Sequence, residues 1–428
     1  MLKPLSLAIA VAALSASGLT TPLRAQTIDP NSDLGQFRSF RAAGMAAFDR
    51  GEAATAMDDF TKAGALLPDS PSILLLKTQV ALQQHKMTTA HDALADYLRR
   101  GFVLDLDKNP DFNQVWDSAF EDENAANGAA VGEMHVSATL PGFGLSDALA
   151  YAPDSDQLIT AAIRTGKITA VSAQGTRDVI GLRPGVAAYG LGLRDGVIWA
   201  TTAASRQTQG FDGKTAISSK VVTISPASGQ VTMSFVDGSQ TDRRFGHLLM
   251  GRDDLYVADQ AHGEILRLNG YAGQLQVLVP EGYFDSPSGL AENRDATLLM
   301  VSDFISGLYR VDLAAGTMAH LSAPPDAALL GISSLTRYGD DLIAVETGFK
   351  PAKVVRLHMS PDWLSVQSVE VLLRSDRWLD QPAQGLVDGD HFIFVAKSQW
   401  SNLDDQGNPR SDTPDPAIIG AIDLKPAS

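Results

Sequence analysis

The amino-acid sequence predicts a small α-helical domain over residues 33–125, followed by an all-β six-bladed propeller over 134–424. Three observations lead to this fold class. Residues 33–101 carry apolar positions at helical spacing and few β-branched runs. From residue 133 onward, short β-branched runs alternate with clusters of Gly, Asp, Asn and Ser. Within that strand-rich region a single pattern recurs six times, roughly 40–60 residues apart, the spacing of propeller blades.

The first residues, MLKPLSLAIAVAALSASGLTTPLRAQ, carry Lys3, an apolar run from Leu5 to Leu14, and then small and polar residues. This is the layout of a secretory leader, with cleavage expected after Ala25, and it is too short and wrongly flanked for a membrane span. No later segment is apolar enough to cross a bilayer, so the expected location is periplasmic or secreted. A formal net charge of −16 argues against nucleic acid or an anionic membrane as partner. The chain has no cysteine, which excludes disulfides, thiol nucleophiles and thiolate metal sites.

In the helical region, Gly44, Ala56, Phe60, Ala63 and Pro68 fall at offsets of 12, 4, 3 and 5. This resembles the tetratricopeptide consensus, where small residues let paired helices approach and the Pro ends the second helix. Pro71 suits the first turn of the next helix, where its missing N–H costs nothing. One period of about 34 residues later, Ala90 and Leu94 repeat the Ala56 and Phe60 positions, and then the match fades, with Thr78 for Gly and Phe102 for Pro. Two helical hairpins and a short helical cap near 110–125 are expected, either as a shallow partner-binding face or as a plain hairpin pair. The stretch DLDKNPD places Asp105, Asp107, Asn109 and Asp111 in alternation. It lacks the central Gly and terminal Glu of a calcium loop, and Pro110 fits a turn between helices.

The propeller copies share one grammar: a small-residue strand entry, a polar turn, an apolar strand ending in a small or acidic residue, another turn, and an I-x-R-L-like strand. They begin at Ser146 (SDALAYAPDSDQLITAAIRTGKITAV), Tyr189 (YGLGLRDGVIWATTA, completed by KVVTISPASGQV), Gly246 (GHLLMGRDDLYVADQAHGEILRL), Ser286 (SPSGLAENRDATLLMVSDFISGLYRVDL), Ile332 (ISSLTRYGDDLIAVETGFKPAKVVRL) and Gln384 (QGLVDGDHFIFVAKSQW, ending with AIIGAIDL). Radial blades bury both sheet faces and remove long exposed edges. The segment His135–Leu140 has no partner of its own and is expected to supply the outer strand of blade six, closing the ring.

This grammar resembles the senescence-marker-protein/gluconolactonase-like propellers, which are also similar to strictosidine synthases and paraoxonases. The resemblance spans about residues 134–424 and implies one divalent cation (Ca, Mg, Mn or Zn) at the channel mouth, polarising the carbonyl of a lactone while a carboxylate delivers water. Its ligand positions fall on Asp147 where the family has Glu, on Gly246-His247 for Asn-Asp, on Ser288 within Pro287-Ser288-Gly289 for Asn, and on Ser333-Ser334 for Asp-Gly. Asp147 and His247 are thus the candidate metal ligands and catalytic groups. One carboxylate remains where a hard cation favours several oxygen ligands.

Read without the family, Asp147, Tyr189, His247, Ser288, Ser333 and Gln384 start inner strands and are expected to form a polar rim for a small carbonyl-type molecule. Trp400, in the Ser-Gln-Trp the resemblance shares, is expected to wall that site. An acyl-transfer triad needs Ser, His and Asp together, but there is no Gly-x-Ser-x-Gly elbow, and the plainer reading has Ser288 and Ser333 closing turns. Asp259 and Asp303 occupy equivalent places and read as turn-holding residues, Glu346 as a group facing the channel, and 401–416 as a solvated flap. Two functions remain: a lactone or ester hydrolase, or a non-catalytic binding or scaffold protein using the rim and the helical repeats.

Overall fold

The structure, a computed structural model, describes residues 28–214, 218–237, 242–404, 407–411 and 413–424; the expected leader over 1–25 lies outside the described residues. Among the described residues no helix is long and apolar enough to cross a membrane.

Five α-helices come first: α1 (Asp33–Asp49), α2 (Ala53–Leu66), α3 (Pro71–Gln83), α4 (Met87–Arg99) and α5 (Ser118–Gly128). The Ser32 hydroxyl caps α1 by accepting from the Gly35 amide, and Asp117 caps α5 through Phe120 N. α1 packs on α2 and α3 on α4 as two hairpins. The Gly44–Phe60 spacing has a steric cause: a Cβ on Gly44 would sit 2.6 Å from the Phe60 ring. The identification with tetratricopeptide repeats rests on the residue pattern alone. The Asp105 stretch is a turn, in which Asp105 Oδ1 accepts from the amides of Asp107 and Lys108.

Six four-stranded antiparallel sheets follow. Blades one to five are each continuous in sequence, over 146–181, 186–235, 245–279, 287–321 and 332–374. Blade six takes its three inner strands from 385–423 and its outer strand from His135–Leu140, paired antiparallel with Ala417–Asp423. The core lies between blades. Met300 and Leu308 of blade four, for example, share a fully buried cluster with Leu342, Ala344 and Val355 of blade five.

The inner strands approach one another closely around the channel. A Cβ on Gly190 would lie 2.7 Å from Leu248 N, and one on Gly289 would lie 2.5 Å from Leu335 N. This crowding explains the small residues at strand entries. The ladder to the second strand shifts register at Ser146/Leu149, Ala188/Gly190, Phe245/Leu248, Pro287/Leu290 and Ile332/Ser334. Each shift brackets a predicted rim residue: Asp147, Tyr189, His247, Ser288 and Ser333. Bulges re-aim side chains and bend strands, and here the same device recurs in five blades. Blade six pairs from Gly385 without such a shift.

Asp259 and Asp303 hold turns, as their equivalence implies. Asp303 accepts from the amides of Asp285, Ser286, Ile305 and Ser306. Asp259 accepts from the amides of Arg244 and Ala261 and from the side chains of Arg243 and His262. Glu346 does not face the channel. It is buried against Lys353 at 3.1 Å, because its strand end lies beneath the helices.

The helices dock on the face where inner strands begin. Arg100 donates to Ala327 O at 2.8 Å, Leu329 N donates to Asp69 Oδ2 at 2.8 Å, Asp29 N donates to Gly282 O at 3.0 Å, and Arg38 pairs with Asp285. Those propeller residues belong to the connections leading into blades four and five. Substituting Gly289→Ala places a methyl against backbone that cannot yield, so the variant is expected to lose about 1–3 kcal/mol, read as a lowered urea midpoint with unchanged slope.

Candidate functional site

Asp147, Tyr189, His247, Ser288, Ser333 and Trp400 line one cavity of about 90 Å³ at the channel mouth, together with Gln260, Phe304, Thr347 and Gln381. It adjoins a cleft of about 1470 Å³, roofed by residues of the helical domain such as Phe37, Arg41, Leu75 and Tyr97. Phe304, Thr347, Gln381 and Trp400 border both spaces, so the small cavity is the floor of the large one.

Five predicted rim residues therefore meet, and the sixth does not. Gln384 donates through Nε2 to Tyr189 O at 2.6 Å, and its amide N donates to Asp147 O at 3.2 Å. It ties blade six to blades one and two instead of facing the cavity. The missing register shift in blade six is the local reason.

The two serines are used structurally. Ser288 Oγ donates to Ile332 O of the next blade at 2.7 Å and lies 2.9 Å from Ser302 Oγ. Gly289 N donates to Ser302 Oγ at 2.7 Å, completing a buried chain. Among the described residues no imidazole is hydrogen-bonded to Ser288 Oγ, so the nucleophile–base pair that serine catalysis needs is not formed here. Ser333 Oγ donates to Val345 O at 3.1 Å within its own blade.

This donor set does not fit the cation that the resemblance implies. A hard divalent ion takes six or more oxygens, several of them charged, whereas one carboxylate, one imidazole and two committed hydroxyls converge here. Among the described residues, no group of three or more His, Asp or Glu side chains is placed to hold a metal.

What the cavity does hold is a pair of displaced acid–base groups. Burial raises the Asp147 carboxyl to about 6, partly offset by the nearby Trp400 indole. That indole N–H is buried and makes no well-formed hydrogen bond of its own. Burial lowers the His247 imidazole to about 4, so it is neutral at pH 7. Both residues keep some accessible surface because they face the cavity, although protein surrounds them otherwise. Burial also pushes the Tyr189 phenol up to about 12, offset to a degree by Ser205 and Arg244, so it remains a donor.

Trp400 is positioned by its neighbour. Gln399 accepts through Oε1 from the amides of Gly144 and Leu145 and donates through Nε2 to Gly142 O and Asp415 O. Its backbone sits in the left-handed region at φ 73°, which turns the chain so that Trp400 stands over the floor. The segment after it is not merely a solvated flap: Leu403 is buried, and both Leu403 and Arg410 border the cleft. The roof has no signal in the sequence, since it arises from contacts between residues more than 200 positions apart.

The two groups have opposite effects on stability. Asp147, near 3.9 when unfolded, costs nothing below pH 4, loses stability between about 4 and 6, and carries its full cost above 6, on the order of 2–3 kcal/mol. His247 costs nothing above about 6.5 and destabilises as pH falls toward 4. Asp147→Asn is therefore expected to be more stable than wild type at pH 7 and equal to it near pH 4. Urea midpoints across pH 4–8 that differ by the same amount throughout would refute this assignment.

No protein-family model and no curated protein matches the chain. Among solved structures it is similar to a gluconolactonase from Xanthomonas campestris, at 14% identity and TM-score 0.46, covering 70% of this chain and 92% of that one. It is also similar to the PQQ-bound aldose sugar dehydrogenase from Streptomyces coelicolor, at 15% identity and TM-score 0.45, covering 69% and 99%. A nidogen/laminin complex gives 13% identity and TM-score 0.42, covering 57% and 86%. The six-bladed architecture itself is read from the strand pairing.

Proposed function

We propose that the chain is an exported hydrolase of small lactones or esters, with Asp147 and His247 acting on a carbonyl at the floor of the roofed cleft. One observation carries the reading: a carboxyl near pKa 6 and a neutral imidazole border the same enclosed cavity. The small cavity admits the reacting end of a ligand, and the cleft accommodates the remainder.

At pH 7 the Asp147 carboxylate takes a proton from a water molecule as that water adds to the carbonyl carbon. The neutral His247 N–H donates to the carbonyl oxygen while it carries negative charge. The acyl C–O bond then breaks, and the proton held by Asp147 passes to the leaving oxygen. Water is consumed and a hydroxy acid, or an acid and an alcohol, is released. No metal enters these steps, because the donor set does not fit one. The leader pattern of residues 1–25 supports placing this activity outside the cytoplasm, in the periplasm or medium.

The second reading, a non-catalytic binding protein, is favoured by the structural use of Ser288 and Ser333. Both readings place a small molecule in the same cleft and divide on turnover. Aryl acetates and δ-lactones should be hydrolysed without added metal, with kcat/KM falling at least about 100-fold in Asp147→Asn, the scale of a lost general base. The kcat profile should rise with pH through about 6. Absence of turnover in the wild type, or full activity in Asp147→Asn, would leave the binding reading.

A further inference from the structure

The large cleft differs in charge from the rest of the chain. Overall the protein carries −16, yet five cationic and four anionic side chains border the cleft. Arg38 is paired with Asp285, and Lys108 with Asp105. Arg41 and Lys350 are different: among the described residues, neither makes an ion pair or a side-chain hydrogen bond. Arg41 is half-buried on α1, one turn from Arg38 and on the same helix face, while Lys350 is exposed on the loop after the second strand of blade five. One cation thus comes from the roof and one from the propeller.

Trp400, nine-tenths buried, borders both the cleft and the cavity, and its Nε1–H lies toward the Asp147 carboxyl, whose pKa it lowers. The inner end of the cleft is therefore the Asp147 site itself.

We propose that the cleft takes an organic anion, whose charged head is drawn to the unpaired Arg41 and Lys350 on the cleft's two walls and whose other end reaches toward Asp147. This inference rests on the preceding reading of the cleft as the route to Asp147 and His247, and it names the class of substrate: a lactone or ester bearing a carboxylate or phosphate. Partial shielding from water strengthens attraction between an anion and paired cations. With −16 over the whole chain, a cleft bordered by five cationic and four anionic side chains repels an anion less than the chain's average charge would.

Two dyes test the anion site without turnover: 8-anilinonaphthalene-1-sulfonate and N-phenyl-1-naphthylamine, which differ by the sulfonate alone. In low salt the wild type is expected to bind the sulfonate at least about tenfold more tightly than the uncharged dye, the effect of one or two partly buried charge pairs. Arg41→Gln with Lys350→Gln should bring that ratio to within about twofold of one. Lys350→Glu alone, at an exposed position that does not disturb folding, should lower it as well. Benzoate or phenyl phosphate should displace the sulfonate dye, and whichever competes better identifies the head group. A ratio near one in the wild type, a ratio unchanged in both variants, or displacement by neither anion would overturn the proposal. Comparing hydrolysis of 4-acetoxybenzoate with phenyl acetate separates the two claims. A charge-dependent dye ratio without hydrolysis of either ester keeps the anion site and removes the hydrolase. Equal hydrolysis of both esters with a dye ratio of one does the reverse.

Discussion

Six inner strands must converge on one axis, and most of what is distinctive in this chain follows from that crowding. Where the strands begin, neighbouring backbones come so near that Gly190 and Gly289 have no room for a methyl group. The bulges beside them relieve the same pressure by letting each strand bend as it enters the ring. A bulge also turns a side chain inward. Packing and site formation therefore share one cause, since the irregularity that lets blades fit together also aims Asp147, Tyr189 and His247 at a common point.

The same crowding limits the rim's chemistry. A hydroxyl at this radius finds a carbonyl of the next blade within reach, and Ser288 is taken up by Ile332 O in that way. Thr201 does likewise with Gly246 O, and Thr336 with Gly385 O. These bonds stitch blade to blade, so short hydroxyl side chains at the rim serve the ring. Asp147 and His247 lie in the same circle with no such blade-to-blade bond, and burial displaces both pKa values, for Asp147 against the lowering by the Trp400 indole. Groups left in that condition are costly to the fold, which is why they stand out as functional candidates.

The blades are legible in the sequence because each solves the same packing problem with the same local grammar. Asp303 reads as architectural from its equivalence to Asp259, and His135–Leu140 as the closing strand from its lack of a neighbour. Rim membership is legible wherever a bulge accompanies the strand entry. It fails at Gln384, because a missing bulge leaves no mark in the residue pattern. Glu346 departs from expectation for a related reason: its surroundings are set by Lys353 and by the helices above, not by its own strand. The roof is illegible altogether, because the bonds that seat it, Arg100 to Ala327 and Leu329 to Asp69, join distant segments with no shared motif.

The closing strand has a consequence for how the molecule is made. His135–Leu140 leaves the ribosome before any blade exists, yet its partner, Ala417–Asp423, follows only after the five continuous blades. The helical hairpins, whose contacts are local, can form early, whereas the ring stays open until Ala417–Asp423 has emerged. Through that interval the outer-strand segment must remain unpaired next to a folded helical unit. Its first three residues, His135, Val136 and Ser137, are exposed even in the finished sheet, and polar Ser137 and Thr139 interrupt its apolar positions. Such an interrupted strand is a weak template for a neighbouring nascent chain, so its modest hydrophobicity suits the long wait that chain order imposes on it.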